Sequence, residues 1–534
     1  MRDMDHSPPP TVAQARQHAL GDLPRRSARR TPGKAAVVDP THGVRMTYAE
    51  LDACVDRTAA ALQAAGLAKG DRLALLARNS WAYVVLDFAC ARAGVVLVPL
   101  NFMLGADEVA FILDHSEARA LVADAEHLDV AEAATARQES APPTVLAALG
   151  GARGDWGDAQ AWFDHDPGPG GGPAPVPMAD DDPVRLMYTS GTESRPKGAV
   201  MTSRALMWQY VSCAIEADYS ADDVELHTLP LYHCAQLDVF LGPDVWLGAT
   251  SVLLPAPEPE AVLAAIAEHR VTKFFAPPTV WISLLRCPAF DTTDLSSLRK
   301  GYYGASPMPV AILTEMAARL PDVALYNLYG QTEMSPLATF LGPDEQLSHA
   351  GSAGRPALNV ETRIVDDEGA DVARGEVGEI VHRSPHATLG YYRDNARTAE
   401  AFAGGWFHSG DLGYLDDGGR LYVVDRKKDM IKTGGENVAS REVEEAIYAL
   451  DGVAEVAVFG VAHPHWVEAV TAVVVPKAGA EVTAEAVTAH ARAVLAGFKA
   501  PKYVVLADAL PKNPSGKILK RQLRDAHADL AERA

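Results

Sequence analysis

Short apolar runs alternate with longer alanine-rich stretches through most of the chain. The run RLALLA at 72–77 predicts a strand, Trp81–Ala93 predicts a helix, and 95–98 predicts a second strand. Alternation of this kind is typical of α/β folds whose strands pair in parallel. The pattern therefore predicts an α/β protein in which helices flank β-sheets.

Toward the C-terminus the apolar pattern becomes more compact. It predicts a helix with Ser440 as its N-cap, followed by strands at 453–461 and 469–476. The apolar face of this helix is formed by Val443, Ala446, Ile447 and Leu450. We therefore expect a large domain at 1–427 and a small α+β domain at 428–534.

The length and charge of the chain refine this picture. With 534 residues, the chain exceeds what one hydrophobic core usually serves, which supports at least two domains. There are 48 Lys and Arg residues against 70 Asp and Glu residues, so the formal net charge is −22. No basic run offsets this charge, and a nucleic-acid partner is not expected.

The N-terminal sequence and the cysteines indicate the cellular compartment of the protein. The opening MRDMDHSPPP is charged and proline-rich where a secretory signal needs an apolar segment, and no apolar run reaches transmembrane length. We therefore expect a cytoplasmic protein without an integral membrane segment. The cysteines are scattered and odd in number, which favours reduced structural thiols. They are Cys54, Cys90, Cys213, Cys234 and Cys287.

A proline-, glycine- and aspartate-rich segment at 164–182 predicts a linker into YTSGTESRPKGAV at 188–200. This second segment suits a polyphosphate, because Gly191 permits close backbone approach and Lys197 supplies a point charge. Its hydroxyl donors are Thr189, Ser190 and Thr192. The residues beside the lysine differ from those of a P-loop, and a solvated turn is the alternative for the segment alone.

A second cluster is YNLYGQTE at 326–333. It ends at Glu333, a hard oxygen ligand of the kind that magnesium prefers. Within the cluster, Tyr329 suits stacking on a purine and Thr332 suits a hydrogen bond to a phosphate. The cluster therefore offers several groups to a nucleotide within a short distance along the chain.

Three further runs offer groups for a nucleoside. Gly304, in the run GAS, would let an adenine ring lie flat on the backbone. The runs HSGDLG and VDRKKD provide Asp411 and Arg426, and a carboxylate is a natural acceptor for two ribose hydroxyls. Each run alone is an ordinary turn more often than a site, because turns select Gly, Asp and Ser. Their joint presence favours a nucleotide site.

The order of these motifs points to a family. They are followed by GGEN at 434–437 and by PKNPSGK, which ends at Lys517. In this order and number they resemble the adenylate-forming superfamily, and the chain is similar to its acyl-CoA synthetases from about Thr47 to Leu523. The resemblance implies a large N-terminal domain, a small mobile C-terminal domain and an active site between them. It also implies that ATP, Mg²⁺ and CoA are used.

In the first step that the resemblance implies, a substrate carboxylate attacks the α-phosphate of ATP and gives acyl-AMP and pyrophosphate. Thr332 would hold the α-phosphate and Glu333 the magnesium, while Lys517 would reach in as the catalytic lysine. The other implied ATP contacts are Thr189, Ser190, Gly191, Thr192 and Lys197 for phosphates, Gly304, Ala305, Ser306, Asn327 and Tyr329 for adenine, and Asp411 and Arg426 for ribose. An exposed lysine in a basic tail is the alternative for Lys517.

In the second implied step, the CoA thiol attacks the acyl-AMP after the small domain rotates about a hinge at Lys428. Gly434 and Gly435 would present bare backbone to the pantetheine channel, for which a plain turn is the alternative. The other implied CoA contacts are Trp466, Phe498 and Lys502. His233 matches an aromatic gate between acyl pocket and thiol channel, and we expect it to act by position rather than as an acid or base.

The acyl pocket that the resemblance implies is apolar, and no cation is placed for a second carboxylate. Its residues are His233, Leu237, Val239, Tyr303, Gly304 and Gly330. A hydrophobic monocarboxylic acid is favoured, with fatty, aryl and terpenoid acids left open. The chain departs from the family pattern at Glu193, Ser194 and Ala500. We expect the first two to affect the affinity for ATP and Ala500 to affect how CoA is bound.

Two alternatives share parts of this interpretation. An acyl-AMP ligase that loads an acyl carrier protein would share the ATP residues and bind free CoA weakly. A nonenzymatic nucleotide-binding protein would have no use for Lys517 or for GGEN. Amino-acid activation is disfavoured, because Cys234 stands where those relatives tend to have an aspartate. A homodimer is left open.

Overall fold

The computed structural model describes residues 12, 15–168, 171–189, 196–306, 308–513 and 516–533. The strands of these residues form four sheets, of which three precede residue 428 and the fourth follows it. The expected α/β fold, with a large N-terminal part and a small C-terminal α+β part, is confirmed. The domain boundary at residue 428 itself stays a prediction.

The largest sheet has a parallel centre and antiparallel edges. In spatial order its strands are Arg355–Pro356, Leu337–Leu341, Ala324–Gly330, Lys300–Gly304, Lys273–Phe275, Val224–His227, Thr250–Leu253, Ala35–Asp39 and Val44–Thr47. Lys273–Phe275, Lys300–Gly304 and Ala324–Gly330 run parallel, so their carboxyl ends meet at one edge. In α/β sheets this edge is where ligands bind.

The second sheet is parallel at its centre and ends in an antiparallel hairpin. Its strands, in spatial order, are Gly157–Asp158, Val145–Leu149, Ala120–Asp124, Arg72–Leu76, Val96–Pro99, Pro183–Thr189 and Lys197–Thr202. The hairpin of Pro183–Thr189 and Lys197–Thr202 brackets the predicted phosphate loop, of which 190–195 lie outside the described residues. The predicted linker at 164–182 has no helix or strand in its described residues.

The first predicted strand–helix–strand unit belongs to this sheet. Arg72–Leu76 and Val96–Pro99 pair in parallel, and Trp81–Ala93 connects them. The side chain of Ser80 caps this helix, and Gly94 ends it in the left-handed conformation with φ 73°. The predicted unit is confirmed, with the second strand shifted by one residue.

Two further sheets follow, the first antiparallel and the second antiparallel except for the parallel pair of Val467–Pro476 and Tyr503–Leu506. One sheet closes the N-terminal part with Glu361–Val365, Gly378–Arg383, Phe407–Leu415 and Leu421–Arg426. The C-terminal sheet contains Glu436–Val438, Ile431–Thr433, Val467–Pro476, Val453–His463 and Tyr503–Leu506. Both strands predicted in this region are confirmed, and they form its long antiparallel pair.

The helices cover the sheets. In chain order the α-helices are Leu23–Arg30, Tyr48–Ala64, Trp81–Ala93, Ala106–Ser116, Leu128–Thr135, Gln160–Phe163, Ser203–Glu216, Gly242–Leu247, Pro259–Glu268, Pro278–Arg286, Val310–Arg319, Asn395–Ala401, Ser440–Tyr448, Ala484–Val494, Lys520–Ala526 and Leu530–Arg533. Short 3₁₀ turns occur at Leu20–Asp22, Pro288–Asp291, Thr332–Met334, Pro343–Glu345 and Ala403–Gly405. A π-helix, Ala235–Leu241, leads directly into Gly242–Leu247.

The predicted N-cap role of Ser440 is wrong. The helix Ser440–Tyr448 starts at this residue, and Ala439 is the N-cap. The Ser440 hydroxyl accepts a hydrogen bond from Lys520 Nζ at 2.7 Å, and its backbone N–H donates to Asp425 Oδ2 at 2.6 Å. Tertiary partners have therefore replaced the local capping bond.

The cores follow the division of the sheets. In the C-terminal part, Val443 and Ile447 from the predicted apolar helix face are fully buried beside Val458 and Val470.

The five cysteines are all buried and free, in agreement with structural thiols. Among the described residues, no helix combines the length and the apolarity needed to cross a membrane.

Candidate active site

A cavity of about 540 Å³ lies at the carboxyl-end edge of the largest sheet. Its wall includes residues from the ends of Lys300–Gly304 and Ala324–Gly330, together with the hairpin of the second sheet. From the C-terminal part it is lined by Lys428, Asn513 and Lys517. The cavity therefore lies between the two parts of the chain.

Lys197 and Glu333 form an ion pair in the cavity wall, with Nζ and Oε1 3.0 Å apart. The hydroxyl of Tyr391 donates to the same Oε1 at 2.6 Å and accepts a hydrogen bond from Lys197 Nζ. Burial, followed by the charge of Glu333, raises the pKa of Tyr391, so this hydroxyl remains a donor. The three side chains thus hold a cation and a carboxylate beside each other.

Glu333 is the carboxylate implied for magnesium, and 8% of its side chain is exposed. Within the described ranges, no group of three or more His, Cys, Asp or Glu side chains could hold a metal ion. Mg²⁺ usually keeps several waters and binds one or two carboxylates together with substrate phosphates. One carboxylate facing the cavity therefore fits a magnesium ion that is also bound by a triphosphate.

Hydroxyl groups line the same region. Thr189 lines the cavity, and its buried Oγ1 has no hydrogen-bond partner among the described residues. The Oγ1 of Thr332 lies 3.3 Å from Cys234 Sγ, and burial raises the pKa of Cys234 to about 12, so the sulfur is a thiol. Ser190, Gly191 and Thr192, and the departures Glu193 and Ser194, lie outside the described residues.

Asp411 connects the predicted nucleoside residues. Its Oδ2 accepts hydrogen bonds from the Tyr329 hydroxyl at 2.7 Å and from Gln331 Nε2 at 3.1 Å. Its Oδ1 lies 3.3 Å from Arg426 Nε, because Asp411 and Arg426 are directly opposed on two antiparallel strands. Tyr329 and Arg426 line the cavity, whereas Asp411 is only 5% exposed. The three predicted residues are therefore in contact with one another.

The glycines of the wall also have a packing reason. A Cβ on Gly304 would lie 2.3 Å from the carbonyl oxygen of Leu328, and one on Gly330 would lie 1.9 Å from that of Pro336. Both positions therefore need glycine for close strand contact as well as for any ligand. Ala305, beside them, has φ 62°, a strained conformation for a residue with a Cβ and a feature that clusters at functional sites.

Some predicted residues lie outside the cavity lining. Among the predicted nucleotide and acyl residues they are Ser306, Asn327, Asp411, Leu237 and Tyr303. Asn327 Nδ2 donates to the Ser352 carbonyl at 2.7 Å, and the Tyr303 hydroxyl donates to Gln346 at 2.6 Å. Leu237 is fully buried in the core. Leu237 and Tyr303 therefore do not line this cavity, and their acyl-pocket roles stay predictions.

The apolar end of the cavity includes His233, Val239, Gly304 and Gly330 from the prediction, together with residues that sequence reasoning missed. The missed residues at this end are Phe240, Phe275 and Leu337. Tyr391, which lines the cavity beside Lys197 and Glu333, was also missed. Phe240 and Phe275 stack with ring centroids 4.4 Å apart. Phe275 is the last residue of a parallel strand. That position is the one feature of the sequence that would have indicated a place in the cavity wall.

Lys517 reaches the cavity on a tight loop of the C-terminal part. Gly516 turns the chain with φ 78°, the Lys517 N–H donates to Asn513 Oδ1 at 2.8 Å, and Thr279 Oγ1 donates to the Gly516 carbonyl at 3.3 Å. The loop is thus bonded to the N-terminal part. The charge of Arg426, followed by burial, lowers the pKa of Lys517 to about 8.

His233 is neutral in this environment. Burial, followed by the charge of Lys517, lowers the pKa of His233 to about 4. Its Nδ1 accepts a hydrogen bond from the Ala235 N–H at 3.1 Å. A neutral ring fixed by the backbone agrees with a positional function, which stays a prediction.

The predicted CoA residues do not line the cavity. The Gly434 N–H donates to the Trp466 carbonyl at 2.9 Å, and Lys502 Nζ lies 5.0 Å from the Trp466 ring centroid. Gly435 has φ 88°, and no heavy atom lies within 4 Å of the place its Cβ would take. Phe498 is 39% exposed. In this arrangement the C-terminal part presents its lysine loop to the cavity, and its glycine pair lies elsewhere.

Comparison with known proteins identifies the family. The chain matches the family model of AMP-binding enzymes over residues 24–392 and that of the AMP-binding enzyme C-terminal domain over 442–517. The first match includes Lys197 and Glu333 of the cavity wall, and the second ends at Lys517. The lining residues from 397 to 428 lie between the two matches.

Individual known proteins are similar to this chain over nearly its whole length. A feruloyl-CoA synthase from Amycolatopsis sp. is 39% identical over 95% of this chain and 99% of its own length. The fatty acid–[acyl-carrier-protein] ligase ScoC from Streptomyces coeruleorubidus is 35% identical over 90% of this chain and 92% of its own. The solved structure of a Mycobacterium tuberculosis fatty acyl CoA synthetase is 34% identical, with a TM-score of 0.76 over 96% of this chain and 99% of its own. The chain therefore belongs to the AMP-binding enzyme family and is an adenylate-forming acyl-CoA synthetase.

Proposed function

We propose that this enzyme uses MgATP to activate a hydrophobic monocarboxylic acid and then transfers the acyl group to CoA. The observation that supports the proposal best is that Lys517, from the C-terminal part, lines the same cavity as Glu333 and the apolar wall. A cation, a metal-binding carboxylate and an acyl surface in one cavity are what acyl-AMP formation requires.

In the first step, a carboxylate oxygen of the acid bonds to the α-phosphorus of ATP while the bond to the pyrophosphate oxygen breaks. We assign Lys517 to the charge that develops on the α-phosphate oxygens, because it lines the cavity from the C-terminal part whereas Lys197 lines it from the N-terminal part. Thr332 donates to the same phosphate, and Lys197 neutralises the departing pyrophosphate.

Magnesium is assigned to Glu333, where it would neutralise phosphate charge when bound. Tyr391 holds the carboxylate through its hydroxyl bond to Oε1. Tyr329, Asp411 and Arg426 are assigned to the nucleoside, because they form one connected group at the cavity wall.

In the second step, the CoA sulfur bonds to the acyl carbonyl carbon while the bond to the AMP oxygen breaks. The glycine pair lies outside the cavity lining, so this step needs a rearrangement that replaces the lysine loop with Gly434 and Gly435. We assign the hinge to Lys428, which follows Leu421–Arg426 and lines the cavity. Trp466 and Lys502 are assigned to CoA, because Trp466 bonds to Gly434 and Lys502 lies beside the Trp466 ring.

The acid is proposed to be apolar at the end remote from its carboxylate. Val239, Phe240 and Phe275 supply that end of the cavity, and stacked phenyl rings favour apolar groups. The relatives include enzymes named for an aryl acid and for fatty acids, so both classes belong in the test.

The test is pyrophosphate release across a panel of fatty, aryl and alicyclic acids, with and without CoA, followed by mass spectrometry of the products. We expect acid-dependent pyrophosphate release and an acyl-CoA product. Absence of release with every acid would contradict the proposal.

Transfer to a carrier protein is the second candidate, favoured by the similarity to a fatty acid–[acyl-carrier-protein] ligase. The same experiment separates it from the first. An enzyme that forms acyl-AMP, ignores CoA and acylates a phosphopantetheinylated carrier protein would have this second function.

A further inference from the structure

One wall of the acyl end of the cavity is the π-helix Ala235–Leu241. π-turns are rare and occur frequently at functional sites. The residues that face the cavity are Ala235, Val239 and Phe240. Gln236 and Asp238 are fully buried and do not line the cavity. The helix therefore combines an apolar cavity face with buried polar side chains.

Gln236 connects this wall to the largest sheet. Its Nε2 donates to His227 Nδ1 at 2.8 Å, and its Oε1 accepts from the Leu229 N–H at 3.3 Å. Burial lowers the pKa of His227, so the ring is neutral, and acceptance at Nδ1 leaves the proton on Nε2. That Nε2 lies 3.5 Å from Asp244 Oδ2. One amide thus joins the wall to the sheet through two hydrogen bonds, and His227 in turn lies beside the following helix.

Buried ion pairs hold the same segment on both sides. Asp238 pairs with Arg185, which also pairs with Asp87 at 2.6 Å. Asp244, in the next helix, pairs with Lys273. All five side chains are at most 1% exposed. Separation of a buried pair leaves a charge without a partner, so these pairs fix the second half of the π-helix and the helix that follows it. The first turn has Gln236 as its buried polar contact to the sheet.

The aromatic end of the wall lies against the same network. Phe240 stacks on Phe275, and Lys273 Nζ lies 3.6 Å from the Tyr219 ring centroid and 5.9 Å from that of Phe240. Phe275 follows Lys273 by two positions on one strand, so both side chains lie on the same face. A shift of the π-helix would therefore separate Phe240 from Phe275 and change the shape of the acyl end.

We propose that Gln236 is a positioning residue for acid selection, because its bridge to His227 holds the π-helix in the register that shapes the acyl end of the cavity. The inference rests on the proposed function, since it concerns which acid that cavity accepts. Gln236 lies outside the cavity lining, so its replacement should change the preference among acids and leave ATP binding unchanged.

The test compares Gln236→Met with Gln209→Met. Methionine has nearly the volume and length of glutamine but cannot bridge to His227. Gln209 is equally buried, bonds Cys213 within its own helix and does not line the cavity, so it is the matched control. Pyrophosphate release is measured with acids of graded size, together with the KM for ATP and the melting temperature.

We expect Gln236→Met to change the ratio of kcat/KM between compact and extended acids by about tenfold, the size of effect that small changes in an apolar pocket produce. The change should lie mainly in KM for the acid, and KM for ATP should remain at the wild-type value. Gln209→Met should retain the wild-type order of acids. A folded Gln236→Met enzyme with the wild-type order would overturn the inference.

Gln236→Asn provides a second variant, because it keeps the amide but is one methylene too short for the bridge. It should shift the order of acids in the same direction. If both variants at this position fail to fold while Gln209→Met folds, Gln236 has a folding role only, and the inference is overturned. Wild-type protein that releases no pyrophosphate with any acid would contradict the proposed function and the inference with it.

Discussion

Lys197 Nζ lies 3.0 Å from Oε1 of Glu333, so the cation assigned to the triphosphate and the carboxylate assigned to magnesium neutralise each other. Tyr391 bonds both of them through one hydroxyl. Binding of MgATP must exchange this internal pair for contacts to phosphate and metal. The hydrogen bonds of Tyr391 therefore affect how easily Lys197 and Glu333 separate to bind ATP and magnesium.

Tyr391→Phe removes that hydroxyl and keeps the ring. We expect the KM for MgATP in pyrophosphate release to rise about tenfold, because a hydrogen bond to a charged group is lost. Tyr392→Phe is the matched control, since Tyr392 does not line the cavity. Equal effects of the two substitutions would assign the change to general packing and contradict the role of Tyr391.

The pH dependence of acyl-AMP formation follows from Lys517. The nearby charge of Arg426, with burial, lowers the pKa of Lys517 to about 8, and the function that we propose for Lys517 needs its charged form. The protonated fraction falls as pH rises through this value, so the rate of acid-dependent pyrophosphate exchange should fall above about pH 8.

Lys517→Arg provides the control for this assignment. Arginine stays protonated throughout the range, so the variant, although slower, should not show the alkaline decline. A wild-type rate that is flat across about two pH units around this pKa would contradict the assignment.

The hinge assignment predicts a selective defect. Lys428→Pro fixes φ at about −65°, so rotation about this residue is restricted. We expect the variant to form acyl-AMP but to transfer the acyl group to CoA at least about tenfold more slowly, because the rearrangement precedes transfer. Lys428→Ala should retain both half-reactions. Rapid single-turnover transfer in the proline variant would locate the hinge elsewhere.

Gly435 and Gly479 form a matched pair for testing the CoA channel. Both have positive φ, 88° and 78°, and neither has a heavy atom within 4 Å of the place its Cβ would take. Leucine at either position should lower stability by about 1–2 kcal/mol through backbone strain. We therefore expect both variants to have a lower melting temperature than the wild type.

The two leucine variants should differ in kinetics. Gly435→Leu is expected to raise the KM for CoA or to abolish thioester release, while its acid-dependent pyrophosphate exchange stays near the wild-type rate. Gly479→Leu should have the same melting temperature shift and a normal KM for CoA. Equal KM values for CoA in the two variants would contradict the assignment of Gly435 to the CoA channel.

Local signals explain which elements could be predicted. The helix Trp81–Ala93 is a contiguous apolar segment between two strands, and its prediction is confirmed. The N-cap role of Ser440 was mispredicted because its hydroxyl is bonded by Lys520, a residue far along the chain. Tertiary competition of this kind has no local signature.

The same distinction applies to the site. Asp411 and Arg426 could be identified by their chemistry, but their contact depends on strand register, which the sequence pattern does not show. Phe240 and Tyr391 were not predicted, because an apolar or aromatic residue gives no local sign of facing a cavity. Their exposure to the cavity depends on the π-helix register and on the hydrogen bond to Glu333.

We propose that Lys517 enters the cavity to serve the first half-reaction only. The direct measurement compares the two half-reactions in Lys517→Ala, with acyl-AMP either formed from acid and ATP or supplied. We expect acyl-AMP formation to fall by at least about a hundredfold, as for other lost electrostatic donors, while thioester formation from supplied acyl-AMP survives. Equal loss of both half-reactions, or no loss of either, would contradict the account.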